Sequence, residues 1–229
     1  MKKLAFATLA SVAVIAATPA SAATIFTSGF EGPGNSDDLR TAANDPNTPT
    51  PNGTWGKYLT ADGWTATGPN NPIELQNNVA GAPAPNGGKV FVELDSDRNS
   101  SMSRVIGAGT YNLSFLYSAR PGRPASTTGI EVLLNGIVFN PPGVVSANGG
   151  SNTSWSTYKI NNFVAAAGST LTFRAVGASD SFGGYVDNIS LSNAVPEPAT
   201  WAFMILGFGL IGGAMRQAKS RTTTRLRFA

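Results

Sequence analysis

Hydrophobic and polar residues alternate with a period of two along several short segments between residues 23 and 194. In the clearest segment, Tyr111, Leu113, Phe115 and Tyr117 are separated by single, mostly polar residues. Because successive side chains of a strand point to opposite faces, this pattern predicts strands with one face in a core and one toward water. The same alternation marks 90–95, 130–135 and 171–174, and shorter candidate strands are 25–30, 63–67, 73–76, 102–106, 137–139, 155–160 and 185–191.

No part of residues 23–194 shows a convincing helical period of 3.6, and clusters of Gly, Pro, Asn and Ser separate the candidate strands. About ten short strands without helices predict an all-β fold, a single antiparallel β-sandwich in which two sheets bury one core. A jelly roll is the favoured topology, and an immunoglobulin-like sandwich is the alternative that strand number leaves open.

The N-terminal segment has the three parts of a secretory signal. Lys2 and Lys3 precede an uncharged apolar run over residues 4–17, and Ala20-Ser21-Ala22 supplies small residues for cleavage. We expect residues 1–22 to be a helical signal peptide removed by signal peptidase, with a mature start at Ala23. The alternative is a short N-terminal core helix.

The C-terminal segment, residues 195–229, begins with two prolines that keep the chain extended, so that a helix begins only after Pro198. Residues 201–215 carry no charge and would span about 22 Å as a helix, less than the roughly 30 Å hydrocarbon core of a bilayer. Arg216 and further basic residues follow, which is typical of a cytoplasmic flank. The pattern predicts a short transmembrane helix with a basic tail.

This segment resembles the PEP-CTERM sorting signal of Gram-negative bacteria in its PEPxxWA form. The matching positions are Pro196, Glu197, Pro198, Trp201 and Ala202, followed by a glycine-rich apolar run and basic residues. The resemblance implies recognition by a membrane exosortase, removal of the tail and delivery to the cell surface or the exopolysaccharide matrix. An ordinary anchor that is never cleaved is the alternative.

Composition and charge exclude several kinds of protein. The sequence has no Cys and no His, which removes disulfides, zinc–thiolate sites and Ser-His-Asp hydrolases. The net charge of +3 reflects basic residues at the two ends of the chain. We therefore expect no nucleic-acid partner for the middle region.

The strand region resembles galactose-binding-like jelly rolls, a group that includes carbohydrate-binding modules. The matching marks are Phe30-Glu31-Gly32, Asp62-Gly63-Trp64, Val92-Glu93-Leu94-Asp95, residues 109–115, Gly129-Ile130-Glu131-Val132 and residues 184–191. The resemblance implies that residues 23–194 form a non-catalytic, lectin-like domain.

Asp187 is a candidate metal ligand because it shares the strand phase of Tyr185, Ile189 and Leu191, which should face the core. A buried carboxylate requires a cation or several hydrogen-bond donors. In the related jelly rolls, acidic residues in the first and last strands hold a structural calcium, and the resemblance assigns those places to Glu31 and Asp187. The alternative is that Asp187 caps a turn through backbone N–H groups.

Trp55 is the candidate stacking platform for a sugar because glycines flank it in a segment rich in turn formers. Its possible polar partners are Arg98, Asn99, Arg120 and Arg123. The alternative is a loop aromatic folded over the core. Trp64 and Trp155 lie in candidate strands and are predicted core residues.

Glu93 and Asp95 lie two residues apart on one predicted strand face, so a glycosidase that uses two carboxylates is the enzymatic alternative. No second acid–base motif supports catalysis, and the prediction is that the protein is not an enzyme. The sequence favours an exported, exosortase-processed surface or matrix protein that binds exopolysaccharide or another glycan. A structural or adhesion protein without glycan recognition is the alternative.

Overall fold

The computed structural model describes residues 22–31, 53–67, 71–78, 82–194 and 200–220. The predicted signal peptide up to residue 21 and the Pro196-Glu197-Pro198 tripeptide lie outside these residues. Trp201 and Ala202 lie in the C-terminal helix.

Short strands dominate the compact unit formed by residues 22–194. In chain order they are β1 Thr24–Ser28, β2 Thr54–Tyr58, β3 Thr60–Ala61, β4 Trp64–Ala66, β5 Ile73–Asn77, β6 Val90–Glu93, β7 Ser101–Ile106, β8 Gly109–Ser118, β9 Gly129–Leu134, β10 Ile137–Val138, β11 Val144–Val145, β12 Ser156–Ala165, β13 Ser169–Val176 and β14 Tyr185–Asn193.

The strands form two sheets. The first has the order β12-β8-β14-β6-β5-β2, with β1 also paired to β14. The second has the order β10-β9-β13-β7-β4-β3, with β11 also paired to β9. Each of the described pairings is antiparallel, which confirms the predicted all-β sandwich.

The core between the sheets follows the period of two seen in the sequence. Tyr111, Leu113, Phe115 and Tyr117 of β8 are all buried, as predicted. Trp64 is completely buried, and its ring meets that of Phe173 edge-on with the centroids 5.4 Å apart. Its predicted place in the core is confirmed.

Strand β14 departs from the predicted alternation. Its register with β8 shifts between Asp187 and Ser190, and Asn188 between them has a positive φ of 46°. Such a bulge reverses the facing of the residues that follow it. Val186, Ile189 and Leu191 belong to the main core, so the prediction that Asp187 shares a face with Ile189 was wrong.

Trp55 lies in β2, a strand that the sequence pattern did not predict, and not in a loop. It is 49% exposed, so it is not a lid over the core. Because β2 is the last strand of the first sheet, the Trp55 ring lies at one lateral edge of that sheet.

Strand β12 forms the opposite edge of the first sheet. Its register with β8 shifts between Ile160 and Phe163. Asn162 has a φ of 57°, and its backbone N–H donates a hydrogen bond to the Asn112 side chain at 2.9 Å. Exposed Lys159 lies beside the bulge.

The described part of the C-terminal segment forms the α-helix α1 (Thr200–Ser220). Within the residues that the structure describes, no helix has the length and apolar character needed to cross a bilayer. The prediction that this helix is transmembrane is not confirmed.

Candidate functional site

The outer face of the first sheet, turned away from the core, carries a continuous layer of polar and aromatic residues. Cross-strand pairs join Lys57 to Glu74, Glu74 to Glu93 and Glu93 to Tyr185. A second row pairs Trp55 with Gln76 and Gln76 with Phe91. Side chains two residues apart on one strand share a face, so these residues form a single surface across β2, β5, β6 and β14.

Glu93 is the buried centre of this surface. Its carboxylate accepts hydrogen bonds from the Arg120 guanidinium at 2.6 Å, the Gly183 N–H at 2.5 Å and the Gln76 side-chain amide. Burial, followed by the negative charge of Glu74, raises its pKa well above the ordinary value, and Arg120 opposes the rise. The carboxylate thereby fixes Arg120 and the chain at Gly183 to the sheet.

Asp95 holds the same loop two residues further along. It is buried, and its Oδ2 accepts the Asp180 N–H at 3.0 Å. Burial raises its pKa, while hydrogen bonds from backbone N–H groups of residues 180–182 oppose the rise. Glu93 and Asp95, the two carboxylates of the enzymatic alternative, are buried and accept hydrogen bonds from the loop that carries Phe182.

A cavity of about 230 Å³ opens between that loop and strand β2. Its lining residues combine aromatic, charged and hydroxyl groups: Trp55, Lys57, Glu74, Ser96, Asp97, Arg120, Ser181 and Phe182. Lys57 forms an ion pair with Asp97 at 2.6 Å, and its Nζ lies 5.2 Å from the centroid of the Trp55 ring. The predicted candidates Trp55 and Arg120 therefore meet at one cavity.

The other three predicted ligand residues, Arg98, Asn99 and Arg123, are not among those that line the cavity. The Arg123 guanidinium lies over the Phe182 ring at 3.2 Å from its centroid, next to the lining. Asn99 donates its side-chain N–H to the Gly177 carbonyl at 3.0 Å. Neither Arg98 nor Asn99 is among the residues that line the cavity.

Sequence reasoning missed the other six lining residues: Lys57, Glu74, Ser96, Asp97, Ser181 and Phe182. Phe182 precedes Gly183 and Gly184 in a loop, the same signal that drew attention to Trp55. Ser96 gave no signal, because its position in the lining depends on the turn after β6.

Trp155 also contributes to the outer side of this sheet. It contacts Phe91 with the ring centroids 5.6 Å apart, and its indole N–H donates to the Pro83 carbonyl at 3.0 Å. Phe91 and Tyr185 form a small hydrophobic cluster separate from the main core, and partly buried Trp155 packs against it. The prediction that Trp155 lies in the core was wrong.

Asp187, a predicted calcium ligand, is only 1% exposed. It accepts the Asn188 N–H at 2.6 Å. Burial raises its pKa to about 8, and the negative charges of Glu31 and Asp62 add to the rise. The structure thus places the two predicted ligands, Glu31 and Asp187, within electrostatic reach of each other.

Backbone contacts position the two neighbouring carboxylates. Glu31 Oε1 accepts the Lys89 N–H at 2.8 Å, and Asp62 Oδ2 accepts the Phe30 N–H at 3.2 Å. Oxygen donors of this kind suit calcium, which takes six to eight oxygen ligands. However, the described residues contain no group of three His, Cys, Asp or Glu side chains arranged to hold a metal ion.

The comparison with protein families identifies the C-terminal segment. Residues 194–219 match the PEP-CTERM protein-sorting motif. The resemblance found in the sequence is confirmed, and the motif implies an exported protein that is sorted by an exosortase and anchored transiently at the membrane.

Solved structures similar to the chain include carbohydrate-binding modules. The xylan-binding domain of a family 22 module has 15% identity and a TM-score of 0.46, covering 75% of this chain and 96% of that domain. A family 35 module from Clostridium thermocellum has 13% identity and a TM-score of 0.38, covering 60% of this chain and 97% of that module. A cyclase from Fischerella sp. TAU has 17% identity and a TM-score of 0.44, covering 77% of this chain and all (100%) of that chain. Likenesses of this size do not assign a function. No curated protein matches the chain significantly.

Proposed function

We propose that the β-sandwich is a non-catalytic carbohydrate-binding domain and that the cavity beside Trp55 is its binding site. One observation carries the proposal: a half-exposed tryptophan borders a cavity lined by carboxylate, guanidinium and hydroxyl groups. A pyranose ring presents an apolar C–H face and a rim of hydroxyl groups. The indole ring of Trp55 can stack on the apolar C–H face, and the polar lining residues can hydrogen-bond with the hydroxyl groups.

The absence of catalysis is part of the proposal. Hydrolysis of a glycoside requires two carboxyl groups about 5–9.5 Å apart on either side of the scissile bond. Glu93 and Asp95 are buried and accept hydrogen bonds from the loop over 180–183. Asp97, which does line the cavity, is held by Lys57 at 2.6 Å. These contacts favour a binding surface over an acid–base pair.

We also propose that the processed protein acts at the cell surface or in the extracellular matrix. The PEP-CTERM motif supports this destination. Replacing Pro196, Glu197 and Pro198 with alanine should leave the full-length chain in the membrane fraction, whereas the wild-type chain should be shortened and released from that fraction.

A structural calcium at Glu31 and Asp187 stays a prediction. Burial raises the pKa of Asp187, and the negative charges of Glu31 and Asp62 add to the rise, so a bound cation would be favoured there. Backbone carbonyls or water would have to complete the coordination shell.

The binding proposal is tested with the full-length chain, purified in mild detergent, on an array of bacterial and plant polysaccharides. We expect binding that is lost in Trp55→Ala, at a side chain 49% exposed, and kept in the control Ile137→Ala, which removes a 75% exposed apolar side chain from the second sheet. No binding across the array would overturn the proposal and favour a structural or adhesion protein. Release of reducing sugar from a bound polymer would contradict the non-catalytic assignment.

A further inference from the structure

Both cations that line the cavity are already paired with carboxylates. Lys57 lies 2.6 Å from Asp97, and Arg120 lies 2.6 Å from Glu93. The pair at Arg120 is well shielded from water, since the Glu93 side chain is 1% exposed and that of Arg120 is 16% exposed. Among the described lining residues, no positive charge is left to meet an acidic group on a ligand.

The cavity does offer hydrogen-bond acceptors. The Ser96 residue is 8% exposed, and its hydroxyl oxygen has no hydrogen-bond partner among the described residues. A buried hydroxyl without a partner is costly, so a molecule that enters the cavity gains by satisfying it. Glu74 is also buried and adds a carboxylate, which can only accept hydrogen bonds while ionised.

The two aromatic residues of the lining, Phe182 and Trp55, differ in how far cations cover their ring faces. The guanidinium groups of Arg123 and Arg120 lie 3.2 Å and 4.8 Å from the centroid of the Phe182 ring. The Trp55 ring has Lys57 Nζ at 5.2 Å and stays half exposed. Trp55 is therefore the better platform for a sugar ring, and Phe182 closes the opposite side of the cavity.

We propose that this cavity takes an uncharged, hydroxyl-rich sugar unit, with its ring on Trp55 and its hydroxyl groups hydrogen-bonded to Ser96 and Glu74. The inference rests on the proposed function and narrows it to neutral glycans. A uronate unit would meet the Glu74 carboxylate and two cations that are already neutralised. A neutral sugar needs no counter-charge, and its hydroxyl groups can donate to the Glu74 carboxylate and pair with the Ser96 hydroxyl.

The test uses matched pairs of polymers that differ in their carboxylates: galactan and polygalacturonate, mannan and polymannuronate, xylan and glucuronoxylan. Binding of the full-length chain is measured by calorimetry. We expect the neutral member of the best pair to bind at least about tenfold more tightly, and its affinity to change less than about twofold between about 50 mM and about 500 mM NaCl.

The serine is tested with a variant and a matched control. Ser96→Ala should weaken binding of the preferred neutral polymer about tenfold. Ser151→Ala, which removes an exposed loop hydroxyl, should leave it unchanged. Unchanged melting temperatures exclude an effect on folding.

Two outcomes separate this inference from the proposal beneath it. Tighter, salt-sensitive binding of a uronate polymer that still requires Trp55 would overturn the neutral-sugar inference and leave the binding function standing. Failure of every polymer in both series to bind would overturn the binding function and this inference together.

Discussion

Two buried acidic groups on the first sheet, Glu93 and Asp187, are held in opposite ways. Glu93 has a cation at 2.6 Å, a backbone N–H at 2.5 Å and a side-chain amide as partners. Asp187 has the Asn188 N–H, and the charges that act on its pKa, those of Glu31 and Asp62, are both negative.

The difference shows two ways in which a sandwich can accommodate a buried carboxylate. Around Glu93 the protein supplies the counter-charge itself, and the resulting network builds the wall of a cavity. At Asp187, a bound proton or a bound cation has to neutralise the carboxylate. The ion pair at Glu93 favours a surface that stays in place to bind a ligand. At Asp187, the pH and the concentration of cations should control the stability of the fold.

The largest effect is expected from removing the cation beside Glu93. Arg120→Met should lower the free energy of unfolding by about 3–5 kcal/mol at pH 7, because it leaves a buried carboxylate without its partner. Urea denaturation measures the change.

Arg174→Met is the matched control, since Arg174 forms a similarly short ion pair with Glu131 at 2.5 Å but is 47% exposed. Its expected cost is about 0–1 kcal/mol. Equal losses in the two variants would show that burial does not distinguish the two pairs.

The next effect concerns Asp187. Asp187→Asn keeps an oxygen that can accept the Asn188 N–H but removes the buried charge. Each unit of raised pKa corresponds to about 1.4 kcal/mol, so in EDTA at pH 7 the variant should be more stable by roughly 2–4 kcal/mol.

Calcium should reverse the order of stability of the wild-type chain and Asp187→Asn. If Glu31 and Asp187 hold the ion, millimolar calcium raises the melting temperature of the wild-type chain and leaves that of Asp187→Asn unchanged. Equal shifts in the two proteins, or none in either, would remove the calcium prediction.

A smaller effect is expected in the pH dependence that Glu93 contributes. Its raised pKa means that just above the ordinary value of 4.5 the folded state keeps a proton that the unfolded state has released. Stability therefore falls as pH rises from there, until Glu93 ionises in the folded state and pairs with Arg120. One such group lowers the free energy of unfolding by at most about 1.4 kcal/mol per pH unit.

Glu93→Gln should lack this decline, so the difference between variant and wild type should grow from pH 4.5 upward in urea titrations. Parallel curves for the two proteins would show that Glu93 titrates alike in the folded and unfolded states.

The smallest change is expected for Lys57→Met. The ion pair with Asp97 is partly open to water, with 28% and 55% of the two side chains exposed. Its removal should change the free energy of unfolding by less than about 1 kcal/mol. A loss as large as that of Arg120→Met would mean that the edge of the cavity is held as firmly as its centre.

The sequence predicted the architecture well because alternation is a local signal. Most strands and the buried aromatic face of β8 follow from it. It failed where one residue changes the phase, as at Asn188, and in β2, whose five residues include Gly56. A bulge breaks the period of two, and a short strand interrupted by glycine leaves too little of it to recognise.

The candidate site was predictable only in part. Trp55 and Arg120 are far apart in sequence and meet because β2, β5 and β6 are neighbours in the sheet, which composition and spacing do not reveal. Glu93 looked like a solvent-facing carboxylate because its alternation placed it opposite the core. The loop at residues 179–183 covers it, and a covering loop cannot be read from strand periodicity.

The bulge at Asn162 in β12 affects how copies of the chain interact at high concentration. A long, flat edge strand presents unpaired backbone N–H and C=O groups. It can hydrogen-bond with the same strand of another molecule, and fibrils can grow in this way. Here a bulge interrupts the pairing with β8, the Asn112 side chain of β8 accepts the N–H at the bulge, and exposed Lys159 lies next to it. Bulges and lysines are features that disfavour pairing of an edge strand with another chain, so this edge is protected against such growth.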